Sequence, residues 1–150
     1  MKSSAVIPAS PSIVYALIAD YLRGHPRILP RKYFEDLKVE EGGVGSGTRI
    51  SFFMRSFGVR RLFRARITEP EPGRRLVETY DPTGMTTTFT VDGQGGGQTS
   101  LVTIATRYAK RGPLGWVERW LAPRYLRKVF AAELELLRWQ ARGTPASQPG

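Results

Sequence analysis

The segment from residue 33 to residue 108 most constrains the fold, because its composition favours strands and its breaks are short. Val, Ile, Thr, Phe and Tyr are frequent in it, and these residue types favour strands. The breaks contain Gly, Pro or Asp, as in GGVGSG, PEPG, DPTG and GQGGGQ. Connections of this length join antiparallel neighbours. The pattern predicts six strands, at residues 33–41, 48–57, 59–69, 74–80, 85–92 and 99–108.

The segment before these strands favours a short strand at residues 5–8 and then a helix. Ser10 is a candidate N-cap, and Pro11 suits the first helical position. Apolar residues recur at three- and four-residue intervals up to Leu22, and Gly24 predicts an end in the left-handed conformation. HPRILP then predicts a single helical turn between two prolines.

Residues 113–142 form the longest helical pattern, and Pro123 should kink or divide that helix. An antiparallel sheet with one apolar face must be covered, and no other helix is large enough. The prediction is an α+β domain over residues 1–142. A seven-stranded antiparallel sheet wraps around a long C-terminal helix, with two short helices between the first two strands. Residues 143–150 are small and polar and predict a disordered tail.

The amino-acid composition argues against several classes of metal, disulfide and catalytic site. The chain has no Cys and one His, which excludes disulfides, thiolate zinc sites and cysteine nucleophiles and argues against a histidine metal site or catalytic triad. No metal and no cofactor is therefore expected. No apolar run is long enough for a transmembrane helix or a signal peptide, so a cytoplasmic location is expected.

The net charge of +10 and the pI near 10.5 favour anionic partners. Peripheral contact with an anionic membrane is compatible with this charge. Nucleic acid is not the expected partner, because strand alternation places Phe63 on the face opposite Arg64 and Arg66. Aromatic and basic side chains on one exposed face would be needed to stack single-stranded bases.

Four stretches carry a resemblance to a known superfamily: VIPASPSIVYALIADY at 6–21, GGVGSGTRISF at 42–52, ITEPEPGRRLVETY at 67–80 and RYAKRGPLGWVERWL at 107–121. The chain resembles the SRPBCC superfamily, the helix-grip fold of START lipid-transfer and birch-pollen-allergen-like proteins. It is most similar to the polyketide cyclase/dehydrase-like and coenzyme Q-binding-like members. The resemblance implies a deep cavity between the long helix and the sheet, used for an apolar or aromatic small molecule.

The expected function is binding or transport of a hydrophobic small molecule, such as a lipid, a quinone or a polyketide-like aromatic compound. The alternative is a polyketide cyclase/aromatase or dehydrase-type enzyme that uses an acid or base in the cavity. Oligomeric state does not follow from the sequence. The candidate cavity residues are Tyr15, Arg61, Phe63, Tyr80, Ile104, Tyr108, Tyr125, Val129 and Glu133.

Glu133 lies in an apolar sector of the last helix that the pattern extends from Val117 through Val129 to Trp139. An ionised carboxylate there is costly unless it is paired. Glu133 is either a cavity carboxylate with a raised pKa or a residue at the edge of the sector. In the second case it reaches water or pairs with a strand arginine, and this is the interpretation that we adopt from sequence alone.

The candidates for catalysis are Glu133, Arg107 and His25. Alternation places Arg61 inward with Phe63. Either Arg61 or Arg107 could bind a ligand carboxylate or pair with Glu133, or else lie at the cavity rim. His25 stands between Gly and Pro, which favours a turn or capping role, although the resemblance places it near the cavity mouth.

Overall fold

The computed structural model describes residues 1–81, 83–108 and 119–143. The predicted tail at 144–150 and the leading part of the predicted last helix, with Val117, lie outside the described residues. In chain order the elements are β1 Lys2–Ile7, α1 Pro11–Ala19, α2 His25–Ile28, β2 Phe34–Glu41, β3 Arg49–Ser56, β4 Val59–Glu71, β5 Arg75–Asp81, β6 Thr86–Gln94, β7 Thr99–Arg107 and α3 Pro123–Arg142.

The seven strands form one sheet in the order β1-β7-β6-β5-β4-β3-β2. Each pair of neighbours is antiparallel. The α+β fold predicted from the sequence is confirmed. Alternate side chains of each strand point to opposite faces, and in β7 Val102, Ile104 and Thr106 are buried as predicted. This face of the sheet carries the core.

The long helix α3 covers the core and contacts β1, α1 and α2. Pro123 is its first residue, where a missing N–H costs nothing. The sequence pattern included Trp139 in the apolar sector of this helix, but the side chain of Trp139 is 66% exposed. The predicted sector therefore extended too far around the helix. At about 100° per residue, Trp139 lies roughly 120° from Glu133, near which the buried sector is centred. The buried side chains of α3 are Leu126, Val129, Phe130, Glu133, Leu134, Leu137 and Ala141.

The first helix ends earlier than predicted, at Ala19 rather than near Gly24. The carboxylate of Asp20 accepts hydrogen bonds from the N–H groups of Leu22 at 3.0 Å and Arg23 at 3.1 Å, which turns the chain out of the helix. Gly24 has φ −93°, not the predicted left-handed conformation. A side chain is excluded there because a Cβ would lie 2.5 Å from the carbonyl oxygen of Leu17. This turn delivers His25 to the first position of α2.

The outer face of β4 carries arginines, as alternation predicted. Arg60, Arg64 and Arg66 are exposed, whereas Phe63 is buried. Acidic side chains of β2 neutralise part of this charge, and Glu35 accepts a hydrogen bond from Arg60 Nε at 3.0 Å. Within the described ranges, no helix has both the length and the apolar content to cross a membrane.

Candidate functional site

Three ionisable side chains meet between α3 and the sheet, each from a different element. His25 begins α2, Glu78 lies in β5 and Glu133 lies in α3. The His25 Nε2 atom is 3.5 Å from Glu78 Oε1 and 3.8 Å from Glu133 Oε1. All three residues are at most 5% exposed. Burial of two carboxylates beside one imidazole requires specific compensation, since isolated charges are costly in the interior.

Two buried tyrosines supply that compensation to Glu78. The Tyr21 hydroxyl donates to Glu78 Oε1 at 2.6 Å, and the Tyr80 hydroxyl donates to Glu78 Oε2. Hydrogen bonds to a carboxylate are stronger than those between neutral groups. Tyr80 also lies 3.3 Å from Thr87 Oγ1, so the network continues along the sheet. Burial, followed by the nearby charge of Glu78, raises the pKa of both tyrosines well above the usual range, which keeps their hydroxyls protonated as donors.

The hydrogen bonds of His25 fix its tautomer. Its Nδ1 atom lies 2.7 Å from the carbonyl oxygen of Ile18, and a carbonyl can only accept, so Nδ1 carries the proton. Burial lowers the pKa of His25, and this effect exceeds the opposing influence of Glu78. The imidazole is therefore neutral near pH 7, and its Nε2 lone pair faces the two carboxyl groups.

Glu133 corrects the interpretation adopted from the sequence. It is 2% exposed, so it neither reaches water nor lies at the edge of the helix's apolar sector. Its Oε1 atom is buried and has no hydrogen-bond partner among the described residues. Burial, followed by the charge of Glu78, raises the pKa of Glu133 well above its ordinary value. Glu133 is thus a carboxyl group that retains its proton while Glu78 accepts two hydrogen bonds.

A small void lies beside these groups. Its volume is about 20 Å³, which is room for one water molecule. His25, Glu78 and Glu133 line its polar side, and aromatic rings form most of its apolar walls: Phe34, Phe52, Phe89 and Phe130. Among the described residues, large side chains thus occupy most of the space around this cluster, where the resemblance implied a deep cavity.

The predicted cavity residues divide between this void and the surrounding core. Tyr80 and Glu133 line the void. Phe63 stacks on Trp120, and Ile104 and Val129 are buried. Three tyrosine hydroxyls are engaged elsewhere: that of Tyr15 donates to Glu69 Oε2 at 2.6 Å, that of Tyr108 to the carbonyl of Leu121, and that of Tyr125 to the carbonyl of Arg55.

Arg61 and Arg107 do not enter the interior. Both are exposed. Arg61 lies on the predicted face of β4 but near the hairpin end, where its guanidinium reaches outward and lies 5.6 Å from the centre of the Trp120 ring. The less favoured alternative, in which either arginine pairs with Glu133, is wrong, because among the described residues the ionisable side chain within 4 Å of the Glu133 carboxyl group is His25. The turn or capping role adopted for His25 is also insufficient, since its ring is buried in the cluster.

Sequence reasoning missed Glu78 and the role of Tyr21. Alternation in β5 contained the signal for Glu78, because Leu76, Glu78 and Tyr80 share one face and all three are buried. Tyr21 was assigned to a helix that ends two residues before it. Its backbone N–H instead donates to the carbonyl of Gly43 at 2.8 Å, which holds the ring against His25.

The site can hold and transfer protons. The neutral imidazole of His25 lies within 4 Å of the carboxyl group of Glu133 and within 4 Å of the hydrogen-bonded carboxylate of Glu78. In the part of the chain that the structure describes, His, Asp and Glu side chains form no group of three or more arranged to bind a metal ion. Acid–base chemistry and hydrogen bonding are the properties that this geometry provides.

Comparison with known families decides the assignment. The sequence profile of the family described as "Polyketide cyclase / dehydrase and lipid transport" matches residues 1–142. The chain belongs to this family. As a polyketide cyclase/dehydrase family member it has the helix-grip fold of the SRPBCC superfamily, which the order of its strands and helices shows independently.

Solved structures similar to this family member include an NMR structure of the KanY protein, with 26% identity, a TM-score of 0.77 and coverage of 95% of this chain and 96% of that chain. The Zhui aromatase/cyclase from Streptomyces sp. R1128 is 17% identical, with a TM-score of 0.71 and coverage of 98% and 96%. Major latex-like protein 151 from Panax ginseng is 13% identical, with a TM-score of 0.73 and coverage of 94% and 95%. The last two likenesses concern the fold alone.

No curated protein matches this family member in sequence. The family, described by polyketide cyclase, dehydrase and lipid transport, supports in general terms binding of a hydrophobic ligand or a polyketide cyclase role.

Proposed function

We propose that this protein binds a hydrophobic small molecule between α3 and the sheet, with the polar end of the ligand at the cluster of His25, Glu78 and Glu133. Lipids, quinones and polyketide-like aromatic compounds are the classes of ligand that fit this description. The observation that carries the proposal is the buried Oε1 atom of Glu133, which has no hydrogen-bond partner in the part of the chain that the structure describes and belongs to a residue that lines the void. A buried polar atom without a partner costs about 1–3 kcal/mol, and a ligand or water that bonds to it recovers that free energy.

The walls of the void favour an apolar ligand. Phe52 and Phe89 are at most 3% exposed, and Phe130 is 4% exposed. Removal of apolar ligand surface from water contributes about 25 cal/mol of binding free energy per Å². Burial of roughly 300 Å² against these walls therefore contributes about 7 kcal/mol, from which the cost of association is subtracted.

A ligand larger than water must open the void. Leu29 and Phe34 line it and are half-buried, and they flank the short segment that connects α2 to β2. Because β2 is an edge strand and α2 has four residues, displacement of this segment breaks few backbone hydrogen bonds. We place the mouth of the site there.

Native mass spectrometry of the protein purified from its host tests the proposal. A co-purifying hydrophobic molecule is expected in the wild-type protein. Leu29→Trp should block the mouth and remove this molecule, whereas Leu22→Trp, at a residue that is 58% exposed, should retain it. If Leu29→Trp retained as much of the molecule as the wild type, the proposed site would be wrong. If no molecule co-purified and no added hydrophobic compound formed a complex with the protein, the proposed function would be wrong.

The convergence of three ionisable groups favours a second candidate, a cyclase or dehydrase-type enzyme. In a dehydration, His25 Nε2 would take the proton from the carbon next to a carbonyl, and Glu133 would protonate the departing hydroxyl. A carbon–carbon double bond forms and water leaves. His25 Nε2 and Glu133 Oε1 are 3.8 Å apart, so one water molecule between them would return the proton from His25 to Glu133.

A β-hydroxy-carbonyl thioester probe tests this candidate. Chromatography should show product with the wild type and the control Glu135→Gln, whose side chain is 62% exposed. Glu133→Gln and His25→Asn should lower the rate at least about a hundredfold if both groups transfer protons. If the wild-type protein bound the probe without converting it, the enzymatic candidate would be wrong and only the binding function would be supported.

A further inference from the structure

The interior of the protein differs in charge from its surface. The whole chain carries a net charge of +10. Every lysine and arginine in the described ranges is nevertheless exposed or half-buried. Among the described residues, the buried ionisable side chains are Glu78, Glu133 and His25, together with tyrosines. The basic charge that would attract an anion is therefore on the outside, and the site carries acidic groups.

The hydrogen-bonding groups that remain available in the site are an acceptor on His25 and the carboxyl group of Glu133, which accepts and, while it holds its proton, also donates. Both oxygens of Glu78 already accept from tyrosine hydroxyls. The Nδ1 proton of His25 is used by the carbonyl of Ile18. Among the described residues, Oε1 of Glu133 is a buried oxygen without a hydrogen-bond partner, and because Nδ1 carries the proton of His25, its Nε2 atom presents a lone pair towards the carboxyl groups. These two atoms are 3.8 Å apart, too far for a direct hydrogen bond.

We propose that the interior site selects ligands whose buried end is a neutral hydroxyl and rejects ligands whose buried end is a carboxylate or a phosphate. This inference rests on the proposed binding function and specifies its ligand class. A phenol or alcohol hydroxyl donates one hydrogen bond, which either Glu133 Oε1 or His25 Nε2 can accept, and its oxygen can accept a hydrogen bond in return.

A ligand whose buried end is an anion would be disfavoured in the interior site. Glu78 and Glu133 lie on the polar side of the void, and His25 beside them is neutral. A carboxylate placed there would lose its hydration and would face the charge of Glu78 without a buried Lys or Arg among the described residues. Such a ligand would bind instead to arginines on the surface, so the experiment must distinguish the two locations.

Isothermal titration calorimetry at pH 7.5 with matched pairs of compounds tests the inference. The pairs are 2-naphthol with 2-naphthoate, and decanol with decanoate. In each pair the hydroxyl compound should bind at least about tenfold more tightly. Glu133→Gln keeps the shape of the side chain but replaces its carboxyl group, and it should reduce this ratio. Glu135→Gln, an exposed change on the same helix, should leave the ratio unchanged.

The NMR resonances of the His25 ring report whether a compound binds at the interior site, because His25 is the single histidine of the chain. The hydroxyl compounds should shift these resonances, and the carboxylates should not. A carboxylate that binds as tightly as its partner and shifts the His25 signals would overturn the selectivity and leave the binding function standing. Failure of all four compounds to shift them would overturn both. A hydroxyl preference that persists in Glu133→Gln would overturn the assignment of selectivity to this cluster.

Discussion

Tyr21 stacks on His25, with ring centroids 4.3 Å apart and ring planes 15° apart, and its hydroxyl donates to the same carboxylate that faces His25 Nε2. One aromatic side chain thereby supports the imidazole and stabilises the neighbouring charge. Phe89 contacts the His25 ring edge-on at 5.5 Å. The imidazole is thus fixed by contacts from two sides and by the carbonyl of Ile18.

His25 should titrate below the ordinary histidine value of 6.5, because burial lowers its pKa. In the folded protein the ring should be the neutral tautomer with the proton on Nδ1. A long-range ¹H–¹⁵N NMR spectrum at pH 7 measures both properties without ambiguity, since the chain has one histidine. A doubly protonated ring at pH 7 would contradict the arrangement.

Glu133 should make stability depend on pH. Its pKa in the folded state is raised above the ordinary value of 4.5, so the folded state keeps a proton that the unfolded state releases. The contribution of Glu133 to stability is therefore present below pH 4.5 and declines as pH rises towards the folded-state pKa, by up to about 1 kcal/mol per pH unit. The groups that face it are Glu78 and His25.

Urea unfolding of Glu133→Gln between pH 4 and pH 8 measures this contribution. The free energy of unfolding of the variant should rise relative to wild type as pH increases across the range. Glu135→Gln changes an exposed carboxylate of the same helix and should follow wild type. Parallel curves for wild type and Glu133→Gln would show that Glu133 does not hold a proton in the folded state.

Removal of the hydroxyl groups that donate to Glu78 should destabilise the fold. Tyr21→Phe removes the hydroxyl that donates to Oε1 of the buried Glu78 carboxylate. Loss of this hydrogen bond should lower the free energy of unfolding by about 1–3 kcal/mol. Tyr33→Phe, at a half-buried tyrosine outside the cluster, is the control and should change the free energy of unfolding by less than about 0.5 kcal/mol. If Glu78→Gln removes the cost of Tyr21→Phe in a double-mutant cycle, the carboxylate is the source of the effect.

Gly45 and Gly47 form a matched pair for a test of the turn before β3. Both have positive φ, +67° and +90°, so alanine is strained at either position. A Cβ at Gly45 would also collide with the carboxylate of Glu69, which is held by Tyr15 and by the N–H of Ser46 at 2.7 Å. Gly45→Ala should therefore reduce the free energy of unfolding by more than Gly47→Ala, whose strain alone costs about 1 kcal/mol. Equal losses would show that Glu69 moves freely.

The buried face of α3 can be tested with two neighbouring residues. Leu137 is 1% exposed and Trp139 is 66% exposed. Leu137→Ala should cost about 2–5 kcal/mol in the free energy of unfolding, and Trp139→Ala less than about 0.5 kcal/mol. Chemical denaturation measures both values, and a large cost at Trp139 would favour the helix orientation that the sequence pattern predicted.

The fold could be predicted from the sequence because its evidence is local. Hydrophobic alternation in residues 33–108 identified the strands and their buried faces, and the glycine-rich turns identified their antiparallel order. The end of α1 was misplaced because Tyr21 and Leu22 continue the helical spacing, while the turn made by Asp20 depends on side-chain hydrogen bonds that spacing does not reveal.

The site was less predictable because its members come from distant parts of the chain. Periodicity marked Glu133 as unusual and assigned each strand residue to a face, but it does not say which faces meet. His25, Glu78 and Glu133 become neighbours only when α2 and α3 pack on the sheet. The low exposure of Glu133 follows from that packing, whereas the sequence alone favoured a carboxylate that reaches water or pairs with a strand arginine.

The small size of the void has a kinetic consequence. Under the proposed function, a site with room for one water must open before a larger molecule enters, so opening precedes association. In stopped-flow mixing, the observed rate should level off at high ligand concentration at the rate of opening, with the same limit for chemically different ligands.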